Sequence, residues 1–285
     1  MHWGKVVMHS LSLIILFLAA AMFVNPLTDG IDNSTIRVVV KELIRIGVTV
    51  GLLWLYAKRF FKKPNSYYRI PKRFKLSKLW FLVGFSLPLI VVVFYLLTEN
   101  VVFDQQNNLP ITTLLTFIIG ALVTAFSAGV IEEILFRCYL FKLIEDKWNV
   151  ATAIFVTSIL FGALHLITVN GLKILDVCLI LTAGTLAGIL FSLIVYKTGN
   201  VWNAVVVHII WNFFLNSKMV QFVSETDRNS SLVLLRLKSD NVWITGGTFG
   251  IEAALPVVVL YILTIGWLVN RKPGFMKHDK TKTYE

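Results

Sequence analysis

The stretch Thr113–Leu143, TLLTFIIGALVTAFSAGVIEEILFRCYLFKL, decides how the rest of the chain is read. About 20 apolar residues cross a bilayer as a helix. Here such a run leads into the pair Glu132-Glu133, and Arg137 follows before the apolar character ends. Charges within so apolar a block are costly, so they mark a packed partner or a function. On either side of it lie further apolar runs at roughly 6–25, 38–57, 79–98, 150–169, 174–196, 201–217 and 246–269. The expected fold class is all-α, a polytopic membrane helix bundle of about eight transmembrane helices.

Composition agrees. Of 285 residues 56% are hydrophobic and 15% charged, and the mean hydropathy is +0.75. A soluble domain carries about 25% charged residues, enough to coat its exterior; this chain does not. Disorder, coiled coil, collagen and a disulfide-stapled scaffold are excluded by the same figures. The two cysteines, Cys138 and Cys178, lie in or beside apolar runs and supply no disulfide framework. A net charge of +11 would suggest nucleic acid in a soluble protein. In a membrane protein it marks the cytoplasmic face, so the bilayer is the expected partner and nucleic acid is not.

The basic residues also predict orientation. Lys5 precedes an apolar run from Val6 to Val24, long for a cleaved signal and lacking a small-x-small site, so a retained helix is expected. The connection 58–78 holds nine Lys or Arg, the connections 26–36 and 99–112 hold none, and the tail holds Arg271, Lys272, Lys277, Lys280 and Lys282. Both termini are therefore expected in the cytoplasm. The segment 218–245, with Lys218, Arg228, Arg236 and Lys238, runs against that alternation and is expected as a mobile loop or lid.

Inside the spans the polar residues form a pattern. Glu133 and Arg137 are spaced i, i+4 with the acid first, the favourable order for a helical ion pair. Glu132 points about 100° away and lacks that partner, so it is the acid left free to take a proton. Downstream come Phe161-x-x-x-His165 and His208-x-x-x-Asn212, each pair on one helical face. At 1.5 Å per residue, Glu132, His165, His208 and Asn212 lie within one broad layer, about 11–22 Å from the boundaries at Glu145, Val150 and Val201. A carboxylate there is a competent general base. With His165 it would deprotonate a water, while His208 and Asn212 would donate to a developing oxyanion. Zinc is the alternative, with Glu132, His165 and His208 as ligands, although no H-E-x-x-H is present. Serine and aspartyl intramembrane motifs are also absent, and Ser127 reads as helix packing.

The set Glu132-Glu133-x-x-x-Arg137, Phe161-x-x-x-His165 and His208-x-x-x-Asn212 resembles the signature of the CAAX-protease and bacteriocin-processing (Abi-like) family of intramembrane endopeptidases. Tyr196-Lys-Thr-Gly-Asn-Val-Trp202 resembles the lead-in to its last motif, and Cys138 stands where a glycine is common. The resemblance implies Glu132 as catalytic base with His165, His208 and Asn212 as oxyanion pocket, and Glu133, Arg137 and Phe161 in support. It implies a glutamate-type protease without a metal cofactor, acting on a peptide or protein substrate at the membrane. It also implies three regions: N-terminal helices with the basic connection at 1–109, a catalytic core at 110–217, and a loop, last helix and basic tail at 218–285. Bacteriocin leaders, peptide signals, self-immunity or prenylated C termini are the roles it offers. The compact chain leans towards a bacterial plasma membrane. A non-proteolytic immunity or regulatory protein is the other reading.

Other polar positions carry weaker expectations. Arg37, Lys41 and Arg45 form a stripe on the second span, facing the bundle with Glu42 as partner or contacting an acidic peptide or lipid. Asp176 and Glu252 are expected at the interface. The connection 58–78, with Phe60, Phe61, Tyr67, Tyr68 and Phe74 interleaved, is expected on the inner leaflet. Gly184-x-x-x-Gly188 marks close helix packing.

Overall fold

The computed structural model describes residues 2–73, 75–104, 110–217, 219–223 and 231–271. Phe74, Lys218, Arg228 and the tail lysines lie outside them. Helices α1 (Trp3–Leu27), α2 (Ser34–Phe60) and α3 (Lys78–Leu97) precede strand β1 (Val101–Asp104). Helix α4 (Ile111–Glu133) runs through a π-helical segment, Ile134–Leu140, into α5 (Phe141–Lys147). There follow α6 (Val150–His165), α7 (Ile174–Thr198), α8 (Val201–Leu215), β2 (Val220–Val223), β3 (Val233–Leu237), α9 (Val242–Thr245) and α10 (Leu255–Asn270). Among the described residues five helical stretches are long and apolar enough to cross a membrane: Trp3–Leu27, Lys78–Leu97, Ile111–Lys147, Val150–Thr168 and Ile174–Thr198. Helix α2 is long but carries the charged stripe, and α8 and α10 are shorter apolar helices. The chain is an all-α polytopic bundle, as its composition requires.

Local signals set the helix ends. Asn149 and Asn200 cap α6 and α8 through their side chains, accepting from Thr152 N at 2.8 Å and Trp202 N at 3.0 Å. Gly199 closes α7 in the left-handed region at φ 63°, where a side chain would strain the backbone. Helices α6 and α7 meet over small residues. A Cβ on Gly184 would lie 2.6 Å from the Cα of Gly162, and one on Gly188 would lie 2.7 Å from Ser158. Packing is therefore the role of the Gly184-x-x-x-Gly188 pair.

Three expectations need correcting. The last span begins at Leu255, not near 246; residues 246–253 form two 3-10 turns, Gly247–Phe249 and Ile251–Ala253. The loop or lid at 218–245 holds β2, β3 and α9, and its strands join β1 in one sheet of order β1-β3-β2. Val101 faces Leu237 in the antiparallel pair, and Val220 faces Val233 in the parallel one. Phe222 of β2 packs against buried Tyr95, so the sheet is fastened to α3. The basic connection, finally, does not lie wholly on lipid. Tyr68 is buried against Tyr139, and Arg69 reaches both oxygens of Glu145 at 2.6 and 2.8 Å. The backbone of Arg69 also accepts from Val201 N at 3.0 Å, tying the connection to the start of α8.

Candidate active site

The α4 helix brings its two acids to opposite fates. Glu133 is fully buried at 0% side-chain exposure, while Glu132 keeps 21%. Glu133 Oε2 lies 3.3 Å from Arg137 Nε, and its Oε1 accepts from His208 Nδ1 at 3.0 Å. The π-helical turn that follows is buried throughout and packs against α1, α2, α6, α7 and α8. Such widened turns recur at functional sites. Arg137 makes no hydrogen bond. Its guanidinium is instead held by the Glu133 charge and by three rings, with Phe161 at 4.4 Å and Phe136 and Phe191 at 5.5 Å.

Phe161 thus joins two parts of the site. Its ring lies over Arg137, and it packs edge-on against His165 at 4.7 Å. Its carbonyl oxygen lies 2.8 Å from His165 Nδ1. A carbonyl only accepts, so Nδ1 carries the proton, and Nε2 of the neutral ring keeps its lone pair. His208 is stacked on Phe191 at 4.7 Å. With Nδ1 on Glu133, its Nε2 is left 3.8 Å from Glu132 Oε2.

Glu132, Phe161, His165, His208 and Asn212 line one cavity of about 450 Å³, which Ala128 and Phe191 also border. Thr168, Val169, Thr248 and Phe249 also line it. The motif residues of three separate segments therefore converge. His165 and Glu132 share the cavity without a hydrogen bond between them. Glu132 instead has His208 as its near neighbour, a contact the sequence reading did not foresee.

The structure also adds residues. Glu252, expected at an interface, lines the same cavity and accepts from Trp211 Nε1 at 2.9 Å. The 3-10 turn just before it, Gly247–Phe249, is held in place by Asp176, which accepts from Thr248 N at 3.0 Å and Lys173 N at 3.0 Å. Gly247, at φ 65°, permits this approach: a Cβ there would fall 2.1 Å from Asp176 Oδ1. Trp211 packs on buried Tyr261 at 5.3 Å. One signal for Glu252 was available, an acid at the start of an otherwise apolar run. Nothing in the sequence tied it to Trp211. For zinc the ligands would be Glu132, His165 and His208, but among the described residues no three His, Cys, Asp or Glu side chains are grouped to hold an ion.

No curated protein matches this sequence. A protein-family comparison does: residues 113–214 match the family described as Rce1-like, type II CAAX prenyl endopeptidase Rce1-like. The matched segment holds all three motifs and ends before β2; Glu252 lies beyond it. Over residues 113–214 the chain is thus similar to the Rce1-like type II CAAX prenyl endopeptidases, a family of membrane proteases and the one its motifs resemble.

Proposed function

We propose that the protein hydrolyses a peptide bond of a membrane-associated peptide or protein by a glutamate-type mechanism. The observation that carries this reading is the division of the acid pair: Glu133 is spent on Arg137 and His208, and Glu132 faces the cavity. Glu132 takes a proton from a water held between it and the lone pair on His165 Nε2. The resulting hydroxide adds to the scissile carbonyl carbon. Asn212 Nδ2, together with His208 Nε2 when that nitrogen carries a proton, donates to the oxyanion that forms. The proton on Glu132 then passes to the leaving amine nitrogen as the C–N bond breaks. Glu133, Arg137 and Phe161 hold His208 and His165 in register.

In this reading no metal takes part, and the Nε2 atoms of both imidazoles serve proton transfer and donation. Purified protein in detergent, stripped with a strong chelator, is expected to keep cleaving a test peptide. Loss of cleavage and its return on stoichiometric zinc would reassign Glu132, His165 and His208 as ligands. The basic connection and both termini are proposed to be cytoplasmic, in a plasma membrane. In a Cys178→Ser background, Asn65→Cys should be shielded from an impermeant thiol reagent applied outside cells, and Ser239→Cys labelled. The reverse pattern would invert the topology.

A further inference from the structure

Arg45 is a charged residue that this mechanism leaves unused. It lies eleven residues into α2, about 16 Å along the helix from Ser34, inside the apolar run 38–57 that the sequence reads as a span. Such a cation is a functional feature by default. It lines a second hollow of about 240 Å³, mostly apolar, between Phe17 and Ala21 of α1 and Leu164 of α6. This hollow shares Glu132, Phe161, His165 and Thr168 with the first. A peptide with its carbonyl at Glu132 would therefore extend into both.

The hollows differ in charge. The larger is lined by Glu132 and Glu252 and by no Lys or Arg, whereas Arg45 is the one Lys or Arg lining the smaller among the described residues. Around Arg45 the charges do not balance. Arg45 Nε lies 3.0 Å from Glu42 Oε2 and Lys41 Nζ lies 3.8 Å from Glu42 Oε1, so two cations flank one carboxylate. The guanidinium is also fixed from α4. Its Nε donates to Ser127 Oγ at 3.1 Å, five residues or about 8 Å along the axis before Glu132. A planar fork, preset and part of a group with one more cation than carboxylate, suits a carboxylate better than any other peptide group.

Resting on the peptidase reading above, we propose that Arg45 is a specificity-determining residue. It binds a carboxylate of the substrate in the smaller hollow, on the far side of Glu132 from Glu252. That carboxylate is either the substrate's C terminus or an Asp or Glu side chain near the cut. The apolar walls take the side chains between it and the scissile carbonyl.

The test uses the full chain in detergent and three versions of one cleavable apolar peptide. One ends in a free acid, one in a C-terminal amide, and one in an amide with a Glu near the end. Wild type should prefer at least one acid-bearing peptide over the plain amide by about 10-fold or more in kcat/KM, chiefly through KM. The acid that wins identifies the source. In Arg45→Gln the preference should fall towards one, with part of it retained in Arg45→Lys. Should Arg45→Gln fold poorly with only Lys41 left beside Glu42, Glu42→Gln/Arg45→Gln reads the same ratio. Equal handling of all three peptides by wild type, or a preference that survives both Gln variants, would overturn the assignment. Should no peptide be cleaved, the peptidase reading fails first. Fluorescence binding of the same labelled peptides to wild type and Arg45→Gln then decides the Arg45 assignment by the same ratio.

Discussion

Glu132 and Glu133 are neighbours in sequence and both face His208, yet one is enclosed and the other opens on a cavity. Around Glu133 the bundle is closed: Arg137 and His208 satisfy it, three aromatic rings enclose the guanidinium, and no side-chain surface remains. Around Glu132 there is an open volume, with His165, Asn212 and Glu252 spaced about it. About 100° of helix rotation separates a charge enclosed by the fold from one that faces the cavity. The lesson concerns desolvation. A buried acid is tolerable when matched, and reactive when its partner is left for the substrate to supply.

Several substitutions would break or sharpen this contrast. Glu132→Gln should lower cleavage by at least about 100-fold, the loss expected for a general base, with thermal unfolding in detergent unmoved. Glu133→Gln should act on stability instead. Stranding Arg137 in a dry site costs about 3–5 kcal/mol, visible as a lower melting temperature or lost expression. If both variants lost activity equally at unchanged stability, the division between the acids would be wrong. Gly184→Leu tests the scaffold that presents His165. Forcing a side chain into the Gly162 backbone should cost about 1–3 kcal/mol and loosen α6 from α7. The smallest effect is expected at Glu252→Gln, which keeps the acceptor for Trp211 while removing a charge from the cavity. Cleavage should change by less than about 10-fold, the scale of one neutral hydrogen bond. A loss as deep as that of Glu132→Gln would make Glu252 a second reacting acid.

Much of this arrangement was legible in the chain. Apolar run length gave the helices, because in lipid the backbone must satisfy its own hydrogen bonds. The i, i+4 spacing gave Glu133 to Arg137, and the Gly184-x-x-x-Gly188 spacing gave a packing face. What escaped were contacts between segments distant in sequence. The strands at 101–104 and 233–237 are too short to carry a period of their own, and only pairing across 136 residues of chain makes Val101 meet Leu237. Glu252 reads as interfacial because its depth depends on where α10 begins, and the run from 246 hides two 3-10 turns. Tyr68 and Arg69 read as membrane-surface residues until Tyr139 and Glu145 are seen opposite them.

The pair of turns that carries Phe249 and Glu252 has a bearing on modularity. The family match stops at 214, but the cavity does not. Its far wall arrives from residues 248–252 and from Tyr261, pinned through Asp176 and Trp211 to helices inside the matched segment. A fragment cut after residue 217 would keep every motif and lose that wall, leaving Trp211 without its acceptor and one side of the cavity open to lipid. Grafting the motif-bearing helices into another scaffold would meet the same difficulty. The portable unit is the core together with the piece of the C-terminal region that folds back to finish it.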